Sequence, residues 1–253
     1  MIWGSMKTEA IVLHTLKYGE RQLITDMFTR ENGRLSFIVP VPKSERSRIK
    51  KQYLQPLTLL MLECDVRPQR QLQRLREASL LTPLPSLLAD AKKVGISLFI
   101  AEFLNHALRG EQPDMPLFDY VRSSIEWLDG ATTAFANFHL VFLMRMSRFL
   151  GFYPNLDESD DAKGDEDTHD YFDLREACFC STPPLHRDFL MPQEASRIRM
   201  LMRMDFPTMY LFRLSRMDRS RILEILLTYY RLHLPDFPEL RSLKILQELY
   251  QDG

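Results

Sequence analysis

The stretch Gln22-Leu23-Ile24-Thr25-Asp26-Met27-Phe28-Thr29-Arg30-Glu31-Asn32-Gly33-Arg34-Leu35-Ser36-Phe37-Ile38-Val39-Pro40 reads as two strands around a turn. Asn-Gly between apolar-patterned runs is a strong hairpin signal, because both residues tolerate the positive φ that tight hairpin turns demand. Leu35, Phe37 and Val39 occupy alternate positions, and Pro40 and Pro42 end the run. Upstream, residues 7–16 (KTEAIVLHTL) are β-prone and break at Lys17-Tyr18-Gly19-Glu20-Arg21. Downstream, residues 53–66 (YLQPLTLLMLECDV) form an apolar run predicted to be a buried strand. Arg67-Pro68-Gln69-Arg70 turns the chain into a fifth run at 71–82. Five short strands with an insert between the third and fourth predict an OB-fold barrel. Such barrels take single strands on the face of strands 2–3, flanked by the loops joining strands 1–2 and 4–5.

The insert is Lys43-Ser44-Glu45-Arg46-Ser47-Arg48-Ile49-Lys50-Lys51, with five basic residues against Glu45 and one aliphatic residue, Ile49. A lone run of this kind is usually a solvated loop. Here the charge of the whole chain favours a polyanion. Residues 1–84 hold 14 Lys and Arg against 8 Asp and Glu, whereas residues 85–253 hold 19 against 26, so a net of −1 hides two halves of opposite sign. A basic half of this kind suggests a nucleic-acid surface, where Lys and Arg neutralise phosphates and release counterions. Lys17, Arg21, Arg30, Arg34, Lys43, Arg46, Arg48, Lys50, Lys51, Arg67 and Arg70 are therefore expected to line one positive face of the barrel.

Pro83 and Pro85 mark a boundary, giving a nucleic-acid-binding domain at 6–83 and a helical domain at 84–253. Residues 1–5 differ in character from the β-prone run after them and are read as a leader outside the fold. Leu87, Ala91, Val94, Leu98 and Ala101 step at helical spacing, as do Phe135, Phe138, Phe142, Met146 and Phe149 in a helix expected over 131–150. A phenylalanine stripe at that spacing is core. Ile222, Ile225, Leu226, Tyr229 and Leu232 predict another helix, and Ser242 the N-cap of a last one. Residues 157–176 hold ten acids and few apolar residues before Tyr171, so at least their first part is expected to be flexible.

With 45% hydrophobic residues the chain can bury a real core, and no apolar run approaches the roughly 18 residues of a membrane span. Cys64, Cys178 and Cys180 make no disulfide framework, which fits a reducing compartment. Cys178-Phe179-Cys180 offers only half of a structural zinc set. Acids in a flexible segment are a poor match for a two-metal nuclease centre. Phosphate-binding glycine loops, metalloprotease helices and serine-hydrolase elbows are missing, so no enzyme is expected. His139, beside Phe138, reads as a core histidine rather than a base.

Five segments together resemble the RecO family of bacterial DNA repair proteins. They are Lys7-Thr8-Glu9-Ala10-Ile11-Val12-Leu13, Thr29-Arg30-Glu31-Asn32-Gly33-Arg34-Leu35, Leu150-Gly151-Phe152-Tyr153-Pro154-Asn155-Leu156, Tyr230-Arg231-Leu232-His233-Leu234 and Leu240-Arg241-Ser242-Leu243-Lys244. The resemblance runs from Met6 to the C-terminus. It implies an N-terminal OB-fold, a helical domain and, in many members, a zinc module built from two cysteine pairs. Here Asp157-Glu158-Ser159-Asp160-Asp161 stands where the first pair would be, so 152–190 is expected to be a degenerate, metal-free insertion without a cofactor. The resemblance also implies binding of single- and double-stranded DNA, strand annealing, and work with RecR to load RecA onto strands covered by single-stranded DNA-binding protein (SSB). It places the protein in the cytoplasm, on the nucleoid. Such a protein recruits the acidic, apolar-ended SSB tail. Arg145 and Arg148, beside the phenylalanine stripe, are the expected rim of its pocket, unless they pair with acids of 152–190. The alternative function is an OB-fold RNA-binding factor.

Overall fold

The structure, a computed structural model, describes residues 5–42, 47, 49–67, 69–110, 112–155 and 170–249. Five strands, β1 (Ser5–Tyr18), β2 (Gln22–Thr29), β3 (Gly33–Pro40), β4 (Leu59–Asp65) and β5 (Leu72–Thr82), close into a barrel in the order β1-β2-β3-β5-β4. This is the OB-fold expected from the strand pattern. Ser5, the last residue of the expected leader, is already in β1 and pairs with Asp65. β1 is long enough to serve two neighbours, pairing β4 through its first half and β2 through its second. A bulge between Val12 and His14 bends it between them. The parallel contact of Ser36, Phe37 and Ile38 with Leu72, Gln73 and Arg74 closes the barrel.

The Asn32-Gly33 turn is a hairpin, though not a two-residue one. Thr29 pairs with Gly33, leaving Arg30, Glu31 and Asn32 in the loop, and Gly33 takes φ +67° to close it. The 53–66 run is not one strand either. Lys51–Leu54 form a 3-10 turn and β4 starts only at Leu59, because Leu57 turns the chain at φ +60° and donates its N–H to Val12 O at 2.7 Å.

Met27, Phe37, Val39, Leu60, Leu62, Cys64 and Leu75 fill the barrel, joined by Ile49 at 6% exposure. The one aliphatic residue of the basic insert is thus a core residue that anchors the insert. Burial pushes the Cys64 thiol up to about 11, so it acts as an apolar filler.

Strand gives way to helix after Thr82, but the first compact unit is larger than the barrel: Met1–Gly130 together with Glu239–Gly253. It includes α1 (Pro85–Ala89), α2 (Ala91–Ala107), α3 (Met115–Gly130) and the last helix, α7 (Ser242–Leu249). Asp90 caps α2 by accepting from the N–H groups of Lys92 and Lys93. The buried face of α2 holds Ala101 of the expected stripe together with Ile96, Phe99, Ile100, Phe103, Leu104 and Ala107, and Leu87 is buried on α1, whereas Ala91 is exposed and Val94 and Leu98 are half-buried. Glu102 accepts from the N–H of Arg241 and from the N–H and Oγ of Ser242, so the start of α7 is held by a carboxylate of α2. Burial opposes the Glu102 charge, but these donors outweigh it and hold the carboxyl below its ordinary range.

The second unit, Ala131–Pro238, contains α4 (Phe138–Phe149), a small sheet ordered β7 (Cys178–Cys180), β6 (Tyr171–Asp173), β8 (Phe189–Leu190), then α5 (Pro192–Arg203) and α6 (Arg216–His233). α4 starts later than 131 because Ala134, at φ +60°, turns the chain first. Its phenylalanines at 138 and 142 are buried, as the stripe predicts. Phe152 packs its ring on Tyr229, Tyr230 and His233 at 5.5, 5.0 and 4.8 Å, and Leu232 on the same helix is 40% exposed. Tyr171–Asp173 is a strand, so the later part of the acidic stretch is ordered; its first part lies outside the described residues.

Candidate nucleic-acid interface

Strand alternation divides every barrel strand into an inward and an outward set. Met27, Phe37, Val39 and Leu75 point in; Ile24, Ile38, Arg74 and Arg76 point out. Near the hairpin tip the outward face is covered. Phe28 packs at a tilt against Phe118 of α3, ring centroids 5.4 Å apart, Arg122 of α3 reaches Glu9 at 2.8 Å, and Phe28 is 2% exposed. Six residues back along β2, about 20 Å at strand rise, Gln22 on the same face is exposed.

There a groove of about 1010 Å³ runs between β3 and β5. Arg21, Gln22, Ile38, Pro40, Ile49, Arg70, Leu72, Arg74 and Arg76 are among its lining residues, and among the described residues no carboxylate is. Arg21 comes from the β1–β2 turn, Arg70 from the β4–β5 loop and Arg74 and Arg76 from β5. Gln73 holds the β4–β5 loop in shape. Its side chain is 3% exposed, accepts from the Arg67 N–H at 2.7 Å and donates to Arg67 O at 3.0 Å and Arg70 O at 2.6 Å. One buried amide therefore sets the backbone that carries Arg67 and Arg70. Arg76 pairs with Asp65 at 2.8 Å, whereas Arg21, Arg67, Arg70 and Arg74 enter no ion pair among the described residues. Lys17, Lys50 and Lys51 are exposed, with the Lys50 ammonium 5.7 Å from the Tyr53 ring. Lys43, Arg46 and Arg48 lie outside the described residues.

Arg30 and Arg34 are not brought to this groove. Both belong to the hairpin-tip end and are used within the unit. Arg30 makes a two-pronged contact with Asp119 at 3.1 and 2.9 Å, and this hydrogen bond holds Asp119 below its ordinary range. Arg34 is mostly buried, bonds Asp26 at 3.0 Å and Asn105 at 3.1 Å, and burial lowers its guanidinium despite Asp26. Conversely, Arg74 and Arg76 line the groove but were not among the expected contacts. Their signal is the placement of Arg74 and Arg76 on either side of inward Leu75, which reads as any strand with a polar face until β5 is placed beside β3.

In the second unit, Arg145 donates to Met204 O at 3.2 Å, and Arg148 is exposed, 6.0 Å from the Tyr153 ring. Cys178 and Cys180 alternate with buried Phe179 and so share the other face of β7, with Asp173 and Tyr171 opposite them on β6. The Cys180 thiol donates to Tyr171 O, and burial with Asp173 and Asp170 raises it above its ordinary range. Among the described residues no three Cys, His, Asp or Glu side chains converge to hold a metal. Two thiols without a second pair do not make the tetrahedral zinc set. The acids around them have structural work: Asp170 pairs with Arg199 at 3.0 Å, and Asp173 accepts from the N–H groups of Arg175 and Glu176 and from His186. His139 is 2% exposed, and burial, with Arg219 adding repulsion, lowers it to about 3, so it is a neutral core residue. No helix among the described residues is long and apolar enough to cross a membrane.

Two family models match the chain: one described as recombination protein O N terminal, over residues 1–84, and one described as recombination protein O C terminal, over residues 88–244. Among curated proteins, the chain is 51% identical to the DNA repair protein RecO of Phocaeicola vulgatus over 244 residues, covering 96% of this chain and 98% of the relative. It is 49% identical to that of Bacteroides fragilis over 245 residues, with the same coverage. It is 32% identical to that of Flavobacterium psychrophilum over 247 residues, covering 97% and 99%.

Proposed function

The chain belongs to the RecO family of DNA repair proteins, and from that premise we propose that it is a DNA-binding mediator of recombinational repair that acts without catalysing a covalent step. The observation that carries the reading is a groove lined by four arginines and, among the described residues, no carboxylate, on the open face of an OB-fold barrel. Phosphates would lie along Arg21, Arg70 and Arg74, with Lys17, Lys50, Lys51 and Arg67 around them; Lys43, Arg46 and Arg48, outside the described residues, are proposed as contacts on their charge alone. Annealing needs no catalytic residue, since a cationic surface that screens phosphate repulsion lets two strands approach. The barrel segment 6–83 would be the nucleic-acid-binding domain, working in the cytoplasm with RecR to load RecA on SSB-coated strands. Of the two arginines beside the phenylalanine stripe, exposed Arg148 is the better placed for the SSB tail, because Arg145 already serves Met204 O.

Fluorescence anisotropy with a labelled single strand, its duplex and a matched RNA, across a salt series, tests the binding. Annealing of SSB-coated strands, with and without RecR, tests the mediator role. Affinity that falls steeply with salt, preference for DNA over RNA, and faster annealing with RecR are expected. Absence of binding, or a preference for RNA, would overturn the reading. For the tail, a labelled acidic peptide should bind the wild type more tightly than Arg148→Ala.

A further inference from the structure

We propose that Tyr18 is the residue by which the barrel distinguishes unpaired from paired bases, an inference that rests on reading the groove as a DNA site. The outward face beside the groove carries a row across four strands. Leu16 pairs with Ile24, Ile24 with Ile38, and Ile38 with Arg74. Two residues along the strands, about 7 Å away, the next row is Tyr18, Gln22 and Pro40. The first row is apolar across three strands and roughly 10 Å wide. It ends on a guanidinium that enters no ion pair among the described residues. Tyr18 is 52% exposed and Leu16 39% exposed, and Ile24 and Ile38 are half-buried. An apolar strip beside a line of arginines complements a strand whose bases have left the helix: π-faces lie on the strip and phosphates face Arg70, Arg74 and Arg21. The other tyrosine near the basic insert, Tyr53, is packed against the barrel core and is not open in this way.

The two parts of the face see different features of DNA. Phosphates are present on single strands and duplexes alike, so the arginines serve both. A base offers its face only when it is unstacked, so Tyr18 can stack on a single strand and meets no base face on an intact duplex. Tyr18 sits at the end of β1 beside the Gly19 turn, and among the described residues no hydrogen bond holds its hydroxyl. Replacing it should leave the barrel folded.

The test is to titrate a single strand and the blunt duplex of the same sequence against wild type, Tyr18→Ala, Tyr18→Phe and the triple variant Arg21→Ala/Arg70→Ala/Arg74→Ala, over a salt series. Tyr18→Ala should weaken the single strand by about 5-fold to about 150-fold, the range for loss of one base–aromatic stack. It should leave duplex affinity and both salt slopes unchanged, and Tyr18→Phe should bind as wild type. Equal loss on both substrates, or no loss, overturns the assignment of Tyr18. If the arginine triple also binds both substrates as wild type does, the groove itself is not the DNA site; if the triple weakens both while Tyr18→Ala alters neither, only the tyrosine proposal falls.

Discussion

Replacing Gln73 by methionine should loosen the β4–β5 loop while sparing the barrel. Methionine matches the length and volume of glutamine but removes all three hydrogen bonds to Arg67 and Arg70. Each such bond contributes about 0.5 to 1.5 kcal/mol net, so their sum is roughly 1.5 to 4.5 kcal/mol. Two considerations reduce it. The residues that lose their partners are exposed, so the freed backbone groups can turn to water. The new thioether also gains apolar burial at a site that is 3% exposed. A net destabilisation of about 1 to 3 kcal/mol is expected, read as a lower urea midpoint. Binding should weaken as well, because Arg67 and Arg70 lose their fixed backbone. If both phosphate contacts go, the slope of log affinity against log salt for single strands should shrink by about 1.4. Gln73→Glu should be worse than methionine at neutral pH, since a carboxylate would face the two carbonyls that the amide now serves. A Gln73→Met protein with wild-type midpoint, affinity and salt slope would refute the argument that this amide organises the loop.

Alanine at Arg21, Arg70 and Arg74 together should reduce the single-strand salt slope by about 2, one phosphate contact for each guanidinium, as measured by anisotropy. Arg30→Ala and Asp119→Ala should lower the melting temperature non-additively and leave DNA affinity unchanged, because that pair lies at the far end of the hairpin. His139 makes stability fall on acidification: below its ordinary value of 6.5 the unfolded chain takes up a proton that the folded state, at about 3, refuses. Between about pH 7.5 and about pH 5 this amounts to about 2 kcal/mol lost, and His139→Gln should flatten that part of the urea-midpoint profile. Elemental analysis should find no stoichiometric zinc, and Cys178→Ser/Cys180→Ser should melt as wild type; close to one zinc per chain, lost in that variant, would contradict this.

The barrel was legible in the chain because its determinants are local. Alternation in 35–39, the Asn32-Gly33 turn and the prolines after the third strand act within a few residues of themselves, and period-two burial follows from strand geometry alone. The phenylalanine stripe at 138–142 was legible for the same reason. Segments that carry the family resemblance pack against one another or against a neighbouring helix: Phe152 against Tyr230 and His233, Arg30 N–H on Glu9 O, and Ser242 on Glu102 of α2. Their residue types are restricted by burial and pairing, which is why they announce the fold and family rather than the binding surface.

What only the tertiary structure decided is which charges are available. Eleven basic residues were expected on one face from loop position and net charge. Charge counting does not know that Asp119 and Asn105, remote in the chain, stand beside Arg30 and Arg34 and engage them. Nor can it know that β5 lies parallel to β3, the contact that puts Arg74 beside Ile38 and makes a groove where the sequence shows only an alternating strand. Ile49 shows the same limit from the other side: it looks like a stray apolar residue in a basic loop until the barrel closes over it. Local pattern is written in neighbours along the chain, whereas the partner that neutralises an arginine, or leaves it free for phosphate, is set by strand order and helix docking across tens of residues.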